Sequence, residues 1–232
     1  ENPPVSDLGH LPPAQSRKFV RIDGGVSAPD SGAVAEEVPV AFVYGGKPHV
    51  VMMCTPADLE DLAIGFTLSE EIAARVSDVS RIEVVRHARG VEIQMELPPD
   101  AQARVAARTR ALAGRTGCGL CGIDAIDNAI RAPRVVASLA SFAVTAITRA
   151  GDSLAAQQPV NSETRAVHAA AWASADGALC VVREDVGRHN ALDKLIGAMA
   201  WSGAPRAPGF ALITSRCSVE MVQKAAAAGI PI

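Results

Sequence analysis

The chain has 232 residues, enough for one large or two modest domains with a buried core. Hydrophobic residues make up 49% of it but aromatic residues only 3%, so the core must be built from Ala, Val, Leu and Ile. A formal net charge of −3 excludes a global electrostatic attraction to nucleic acid or to a membrane surface. Five cysteines without framework spacing, and no signal-like or membrane-length apolar segment, lead us to expect a soluble protein of the reducing cytoplasm.

The N-terminal part of the sequence predicts a flexible segment and then a small α+β subdomain. Residues 1–35 are rich in Pro and Gly with little periodicity, which indicates a tail and a loop. Residues 37–53 predict a β-hairpin around a Tyr-Gly-Gly-Lys turn. Thr55 is expected to cap the next helix, because Pro56 suits a first helical position. The rest of this subdomain, which spans residues 36–114, is predicted to be two strands and a helix at 79–86, 91–97 and 100–112.

The second half of the chain, residues 115–232, predicts an α/β domain. Apolar strands at 178–182 and 210–214 are each followed by a polar turn and a helix. We predict that these strands are parallel and that both turns lie on one edge of the sheet. A helix is expected over 145–157, whereas residues 161–172 are compatible with a helix or with a buried strand.

A glycine-rich loop presents two thiols, Cys118 and Cys121. The glycines allow positive φ and close approach of a bulky partner, which favours a loop over a helix or strand. A predicted short helix over 123–130 would place the thiols before a positive helix N-terminus, and Arg115 adds a cation; both favour the thiolate. A Cys-x-x-Cys pair is also typical of half a zinc site, but no second pair follows. Reactive sulfur chemistry is favoured, and metal binding stays open.

The two polar turns of the second half are candidates for a ligand site. Ligands collect at the carboxyl ends of strands in α/β sheets, and helix N-termini attract anions. The Arg and His side chains could hold phosphate, and the Asp and Asn side chains could bond a base or sugar; the alternative is a charged connection with its own helix cap. No Walker A or Gly-x-Gly-x-x-Gly motif is present. The candidates are Asp185, Arg188, His189, Asn190, Ser215 and Arg216.

His168 lies among alanines. Taken singly, a histidine in such surroundings is more often a hydrogen-bonded core residue than a catalyst. We nevertheless include it among the candidate cofactor contacts.

Several long stretches of this sequence resemble the formate dehydrogenase accessory proteins, the FdhD family. They follow the family's order from about residue 36 to the end of the chain. The matching stretches are residues 38–41, 54–66, 118–122, 184–194, 214–216 and 220–224.

The resemblance implies a cytoplasmic, homodimeric sulfur carrier, a sulfurtransferase with a cysteine persulfide intermediate. Such a protein accepts sulfur from a cysteine desulfurase and passes it to the molybdenum bis-guanine-dinucleotide cofactor, its bound substrate, for formate dehydrogenase. By the same resemblance, Cys118 aligns with the persulfide-bearing cysteine and Cys121 with its partner. No tightly bound metal of the protein's own is expected.

The family's second half resembles the cytidine deaminase fold, so a three-layer α/β domain is expected over 115–232. The family's pattern continues past Ile232, so its last cofactor-binding stretch is expected to be missing from this sequence. Deamination itself is not expected, because no His-x-Glu motif is present and Gly117 replaces the Pro of Pro-Cys-x-x-Cys. The alternative function is a non-catalytic cofactor- or metal-binding chaperone module that uses Cys118 and Cys121 as ligands.

Overall fold

The computed structural model describes residues 11–112, 134–136, 140–201 and 208–230. These residues form a two-stranded hairpin, a four-stranded sheet, a three-stranded sheet and six α-helices, which is a mixed α/β fold. The predicted loop of Cys118 and Cys121 lies outside them.

An antiparallel hairpin precedes the first sheet. Strands β1 (Ala14–Asp23) and β2 (Val26–Ala35) pair along their whole length. The prediction of a tail and loop was therefore wrong for these residues. It failed because β2 is rich in Ala, Ser, Gly and Asp, which have low strand propensity. The Gly24-Gly25 pair was the available signal, since both glycines adopt the positive φ of a tight hairpin turn.

The four-stranded sheet packs one face against helix α1 (Leu59–Ser69). Its strand order is β4-β3-β6-β5, with β3 and β6 parallel and the two outer pairs antiparallel. Phe42, Phe66 and Ile93 lie in this core. The predicted hairpin, strands and helix of this region are confirmed as β3 (Val38–Tyr44), β4 (Lys47–Cys54), β5 (Arg81–His87), β6 (Gly90–Glu96) and α2 (Pro99–Leu112).

Helix α1 begins later than predicted. Its N-cap is Asp58, which has a left-handed backbone (φ 53°) and makes no side-chain capping bond. The prediction that Thr55 caps this helix was wrong, because the polar groups of Thr55 bond the second half of the chain.

The three-stranded sheet has the order β8-β7-β9, and β7 is antiparallel to both neighbours. The ambiguous segment contains a short helix and then β7. Strands β8 and β9 run in the same direction, as predicted, but they are not neighbours, because β7 lies between them and is antiparallel to both. The elements are α3 (Val144–Leu154), α4 (Pro159–Thr164), β7 (His168–Ser174), β8 (Leu179–Asp185), α5 (Arg188–Trp201), β9 (Gly209–Ile213) and α6 (Val219–Ala227).

Helices cover both faces of this sheet. Ala170 and Trp172 of β7 pack against α5 and α6, whereas Ala173 packs on the opposite face with Ala146 and Ala150 of α3. This alternation follows from the two-residue period of a strand. The described residues thus show helix–sheet–helix layering, while the specific likeness to cytidine deaminases stays a prediction.

The two halves of the chain meet where α1 crosses α5. A Cβ atom on Gly65 of α1 would overlap the backbone oxygen of Asp193, and one on Gly197 of α5 would overlap that of Asp61. Glycine at both positions therefore lets the two helix backbones touch. The halves pack as one unit as a result.

We predict that Gly197→Ala destabilises the protein by about 1–3 kcal/mol, because the added methyl forces the helices apart. The matched control is Gly151→Ala in α3, where a Cβ meets open space. That change should stabilise by up to about 1 kcal/mol, since Ala is the better helix former. Urea denaturation measures both. A Gly197→Ala variant as stable as the wild type would contradict the close crossing.

Candidate functional site

The turn between β8 and α5 is anchored by the buried carboxylate of Asp185. Lys194 Nζ lies 2.7 Å from Asp185 Oδ2, and both side chains are 0% exposed. The backbone N–H of Thr55 donates to Oδ2 (3.0 Å), while the N–H of Gly187 (2.8 Å) and Asn190 Nδ2 (2.9 Å) donate to Oδ1. Asp185 therefore fixes the shape of the turn. The predicted contact of Asp185 with a base or sugar would have to compete with these hydrogen bonds.

Thr55 ties the first half of the chain to this turn. Its Oγ1 accepts the backbone N–H of Val186 (3.1 Å), and its carbonyl accepts Lys194 Nζ (3.0 Å). Lys194 Nζ also donates to the carbonyl of Glu184 (3.2 Å). The turn is thus held from both halves of the molecule.

Asn190 is a second support of the turn. It is buried, and besides Asp185 its Nδ2 donates to the carbonyl of Met53 (2.9 Å) and lies 3.4 Å from Cys54 Sγ. Burial, reinforced by the Asp185 carboxylate, raises the pKa of the Cys54 thiol far above its ordinary value. Cys54 therefore stays protonated and is a poor nucleophile.

Arg188 and His189 occupy the first turn of α5 and have nitrogens without partners. Arg188 Nε and His189 Nε2 are buried and make no hydrogen bond within the described part of the chain. Burial, together with the nearby cations of Lys224 and Arg188, lowers the pKa of His189 to about 4. His189 is therefore neutral at neutral pH. Unpaired nitrogens at a helix N-terminus are suited to an anionic ligand.

The strand register brings the other candidate residues to the same edge of the sheet. His168, the first residue of β7, lies opposite Asp185, and Ala170 lies opposite Ile213 at the end of β9. Thr214 continues that pairing, because its N–H donates to the carbonyl of Ala169 and its Oγ1 accepts the N–H of Ala169.

The two polar turns therefore share one edge, as predicted from their positions after two strands. Ser215 and Arg216 follow directly in the second turn, and Ser215 Oγ donates to the carbonyl of Arg216 (3.2 Å). The Arg216 side chain is exposed at this edge and is free of any ion pair among the described residues. These two residues, together with His168, complete the set of predicted contacts that the fold brings together.

A second buried ionic network fastens α6 beside this edge. Lys224 Nζ lies 2.9 Å from Asp193 Oδ2, 3.1 Å from Glu70 Oε1 and 2.9 Å from Ser69 Oγ. Ser69 Oγ in turn donates to Asp193 Oδ1 (2.6 Å). One lysine thus joins α6 to both α1 and α5.

Sequence reasoning gave no role to Lys194 and predicted Thr55 only as a helix cap, although both hold the site together. The available signal was a charged side chain among the apolar positions of α5, next to Leu192, Leu195 and Ile196. A lysine on a buried helix face must be paired. An Asp at the preceding strand end was the natural partner.

The described cysteines differ in exposure. Cys54 is buried, whereas Cys180 and Cys217 are exposed. The apolar or helical sequence surroundings of these three cysteines predict packed side chains, and that prediction is wrong for Cys180, on the edge strand β8, and for Cys217, just before α6. Cys118 and Cys121 lie outside the described residues.

Two further findings apply to the described residues alone. They contain no group of three or more His, Cys, Asp or Glu side chains placed to hold a metal ion. Within the same ranges, no helix is long and apolar enough to cross a membrane.

Comparison with a solved structure first shows a shared fold. A crystal structure of a candidate formate dehydrogenase accessory protein from Desulfotalea psychrophila superposes with a TM-score of 0.69. It is 24% identical in sequence, and the match covers 95% of this chain and 82% of that one. The mixed α/β fold is therefore shared with a protein of that description.

Sequence comparison then gives the family. The profile of the FdhD/NarQ family matches residues 35–232. The sulfur carrier protein FdhD of Xanthomonas euvesicatoria pv. vesicatoria is 49% identical over 216 residues, covering 93% of this chain and 77% of the relative. The protein of the same name from Bordetella parapertussis is 45% identical over 217 residues, covering 93% and 79%. The chain belongs to the FdhD/NarQ family.

Proposed function

We propose that this chain is a sulfur carrier. The observation that carries the proposal is its 49% identity, over 93% of its length, with a relative named sulfur carrier protein FdhD. Cys118 is the carrier thiolate in this proposal, and Cys121 shares the sulfur or assists its release. The donor is a cysteine desulfurase, and the acceptor is the molybdenum bis-guanine-dinucleotide cofactor used by formate dehydrogenase.

The chemistry is a balanced exchange between thiolate and persulfide. The Cys118 thiolate attacks the terminal sulfur of the donor's cysteine persulfide. The S–S bond of the donor breaks, and the donor cysteine leaves as a thiolate. The sulfane sulfur now stands on Cys118 without net oxidation or reduction, ready for transfer to the cofactor.

The guanine nucleotide part of the cofactor is placed at the shared strand edge in this proposal. Arg188 and His189 offer nitrogens for its phosphates that have no partner among the described residues. Ser215, Arg216 and His168 lie at the same edge as further contacts. In this proposal, Asp185 and Asn190 make the internal hydrogen bonds that hold the turn, and they do not contact the ligand. The wider proposal includes a homodimer in the cytoplasm and a second half with a deaminase-like fold.

Incubation with a cysteine desulfurase and cysteine should add about 32 Da per sulfur to the intact protein, and a reductant should remove it. Cys118→Ala should abolish the gain in mass. Cys180→Ala and Cys217→Ala are the matched controls, because these thiols are exposed but lack the glycine loop. Intact-mass spectrometry measures all four proteins.

If every single variant failed equally to gain mass, a carrier role for Cys118 would be contradicted.

Metal analysis of the purified protein tests the alternative function. Stoichiometric zinc that is lost in Cys118→Ser would favour a metal-binding module over a sulfur carrier.

We also predict that GDP binds the wild type and that Arg188→Ala lowers its affinity about 10- to 100-fold. A charge-assisted hydrogen bond to phosphate is worth about 1.5–3 kcal/mol. Arg149→Ala is the control, because Arg149 is an exposed arginine that pairs with Asp176 on α3's side of the sheet. Calorimetry measures binding, and circular dichroism verifies folding. Unchanged affinity in folded Arg188→Ala, or no binding to the wild type, would contradict this placement.

A further inference from the structure

Helices α5 and α6 begin at the same edge of the three-stranded sheet and run side by side over one face of it. Met221 of α6 shares a core with Leu195 of α5, and both pack on β7. Lys224 Nζ of α6 lies 2.9 Å from Asp193 Oδ2 of α5. Because the two helices follow strands that run in the same direction, they are parallel, and their N-terminal turns are neighbours.

Glu220 of α6 lies beside His189 of α5, one turn before the Lys224–Asp193 pair on each helix. Glu220 precedes Lys224 by four residues, and His189 precedes Asp193 by four. Residues four apart lie on the same face of a helix. Burial is the largest influence on the pKa of His189, and the charges of Lys224, Arg188 and Glu220 act on it as well. The Glu220 carboxylate is therefore next to the buried nitrogens that lack a partner.

Glu220 is ionised at neutral pH and only partly buried. Burial would raise its pKa, but its own backbone N–H, Ser218 and the charges of His189 and Arg188 outweigh burial and hold the pKa below its ordinary value. Within the described part of the chain, the carboxylate makes no ion pair with a lysine or arginine. Its oxygens are thus charged acceptors at the edge where the nucleotide is proposed to bind.

The strands of the three-stranded sheet, α5 and α6 contain four carboxylates, and three of them are already engaged. Glu184 accepts two backbone N–H groups of α4, at 2.8 and 2.9 Å. Asp185 and Asp193 each pair with a buried lysine. Glu220 is the one carboxylate of these elements that remains available to a ligand.

A carboxylate suits the guanine base in particular. Guanine presents two neighbouring donors on one edge, N1–H and the 2-amino group, and a carboxylate accepts such a pair with its two oxygens. Adenine has no hydrogen on N1, so its lone pair would face the carboxylate oxygens. A free carboxylate at the nucleotide edge therefore distinguishes the two purines.

We propose that Glu220 recognises the guanine base of the ligand, while Arg188 and His189 hold its phosphates. The inference rests on the nucleotide site of the proposed function and deepens it by assigning the residue that selects the base. A ribose hydroxyl is the less specific partner, because any carbonyl or hydroxyl oxygen can accept it. The paired donors of guanine require two coplanar acceptor oxygens, which a carboxylate supplies.

The test is calorimetric titration of the full chain with GDP, ADP and xanthosine diphosphate. The wild type should bind GDP about 10- to 100-fold more tightly than ADP, the discrimination typical of a bidentate contact with a base. Glu220→Gln should lose this preference, because the amide N–H opposes a guanine donor. The same amide matches the N1–H and 2-carbonyl of xanthine, so the variant should prefer xanthosine diphosphate to GDP.

The matched control is Glu96→Gln, the same change at an exposed carboxylate of β6 in the four-stranded sheet. It should leave all three affinities unchanged, and circular dichroism verifies that both variants fold. Loss of the Glu220 charge alone would strengthen the binding of GDP and ADP equally. Equal changes for the two nucleotides would therefore overturn the proposal.

Three further results would also overturn it. A wild type that binds GDP and ADP equally would leave the phosphate contacts in place but remove base recognition. If Glu220→Gln abolished only a preference for GDP over its 2′-deoxy form, the carboxylate would bind the ribose. If no nucleotide bound, the proposed site itself would fail. Sulfur loading of Cys118 is measured separately by mass, so the carrier function can stand when base recognition by Glu220 fails.

Discussion

The buried ion pair between Lys194 and Asp185 is the contact on which the candidate site depends. Placing two charges away from water costs several kcal/mol for each, and only close pairing with further hydrogen bonds offsets that cost. Asp185 meets this condition with three additional donors, and Lys194 with two carbonyl acceptors. Because one donor and one acceptor belong to Thr55, the pair joins the two halves of the chain as well as fixing the turn.

The second network and the glycine crossing explain why the halves sit close enough for this pair to form. Gly65 and Gly197 let α1 and α5 touch, and Lys224 neutralises Asp193 at the same interface. Asp185 and Asn190 are then occupied by internal bonds, whereas Arg188 Nε and His189 Nε2 are buried without a hydrogen-bond partner among the described residues. The polar residues of the turn therefore fall into two groups: those that hold the turn through internal bonds, and those that are candidate ligand contacts.

Local sequence patterns predicted much of the fold but few of the long-range bonds that hold the candidate site in place. The β3–β4 hairpin and α3 follow from alternation, turn residues and helical periodicity, and two strand-to-helix turns predicted the shared edge. The hairpin β1–β2 was missed because its second strand has weak propensity, and the antiparallel strand between β8 and β9 was missed because the segment that contains β7 is compatible with helix or strand. The Thr55–Asp185 bond spans 130 residues, which no local pattern can reveal. The proposed roles of Cys118 and Cys121 come from the family resemblance together with the glycine-rich loop.

A double-mutant cycle tests the central role of the Lys194–Asp185 pair. Asp185→Asn, Lys194→Met and the double variant are compared with the wild type by urea denaturation. Each single change should cost about 3–5 kcal/mol, because it leaves a buried charge without its partner. The double variant should cost clearly less than the sum, with a coupling of about 2 kcal/mol or more. Single losses below about 1 kcal/mol, or strictly additive losses, would contradict the account.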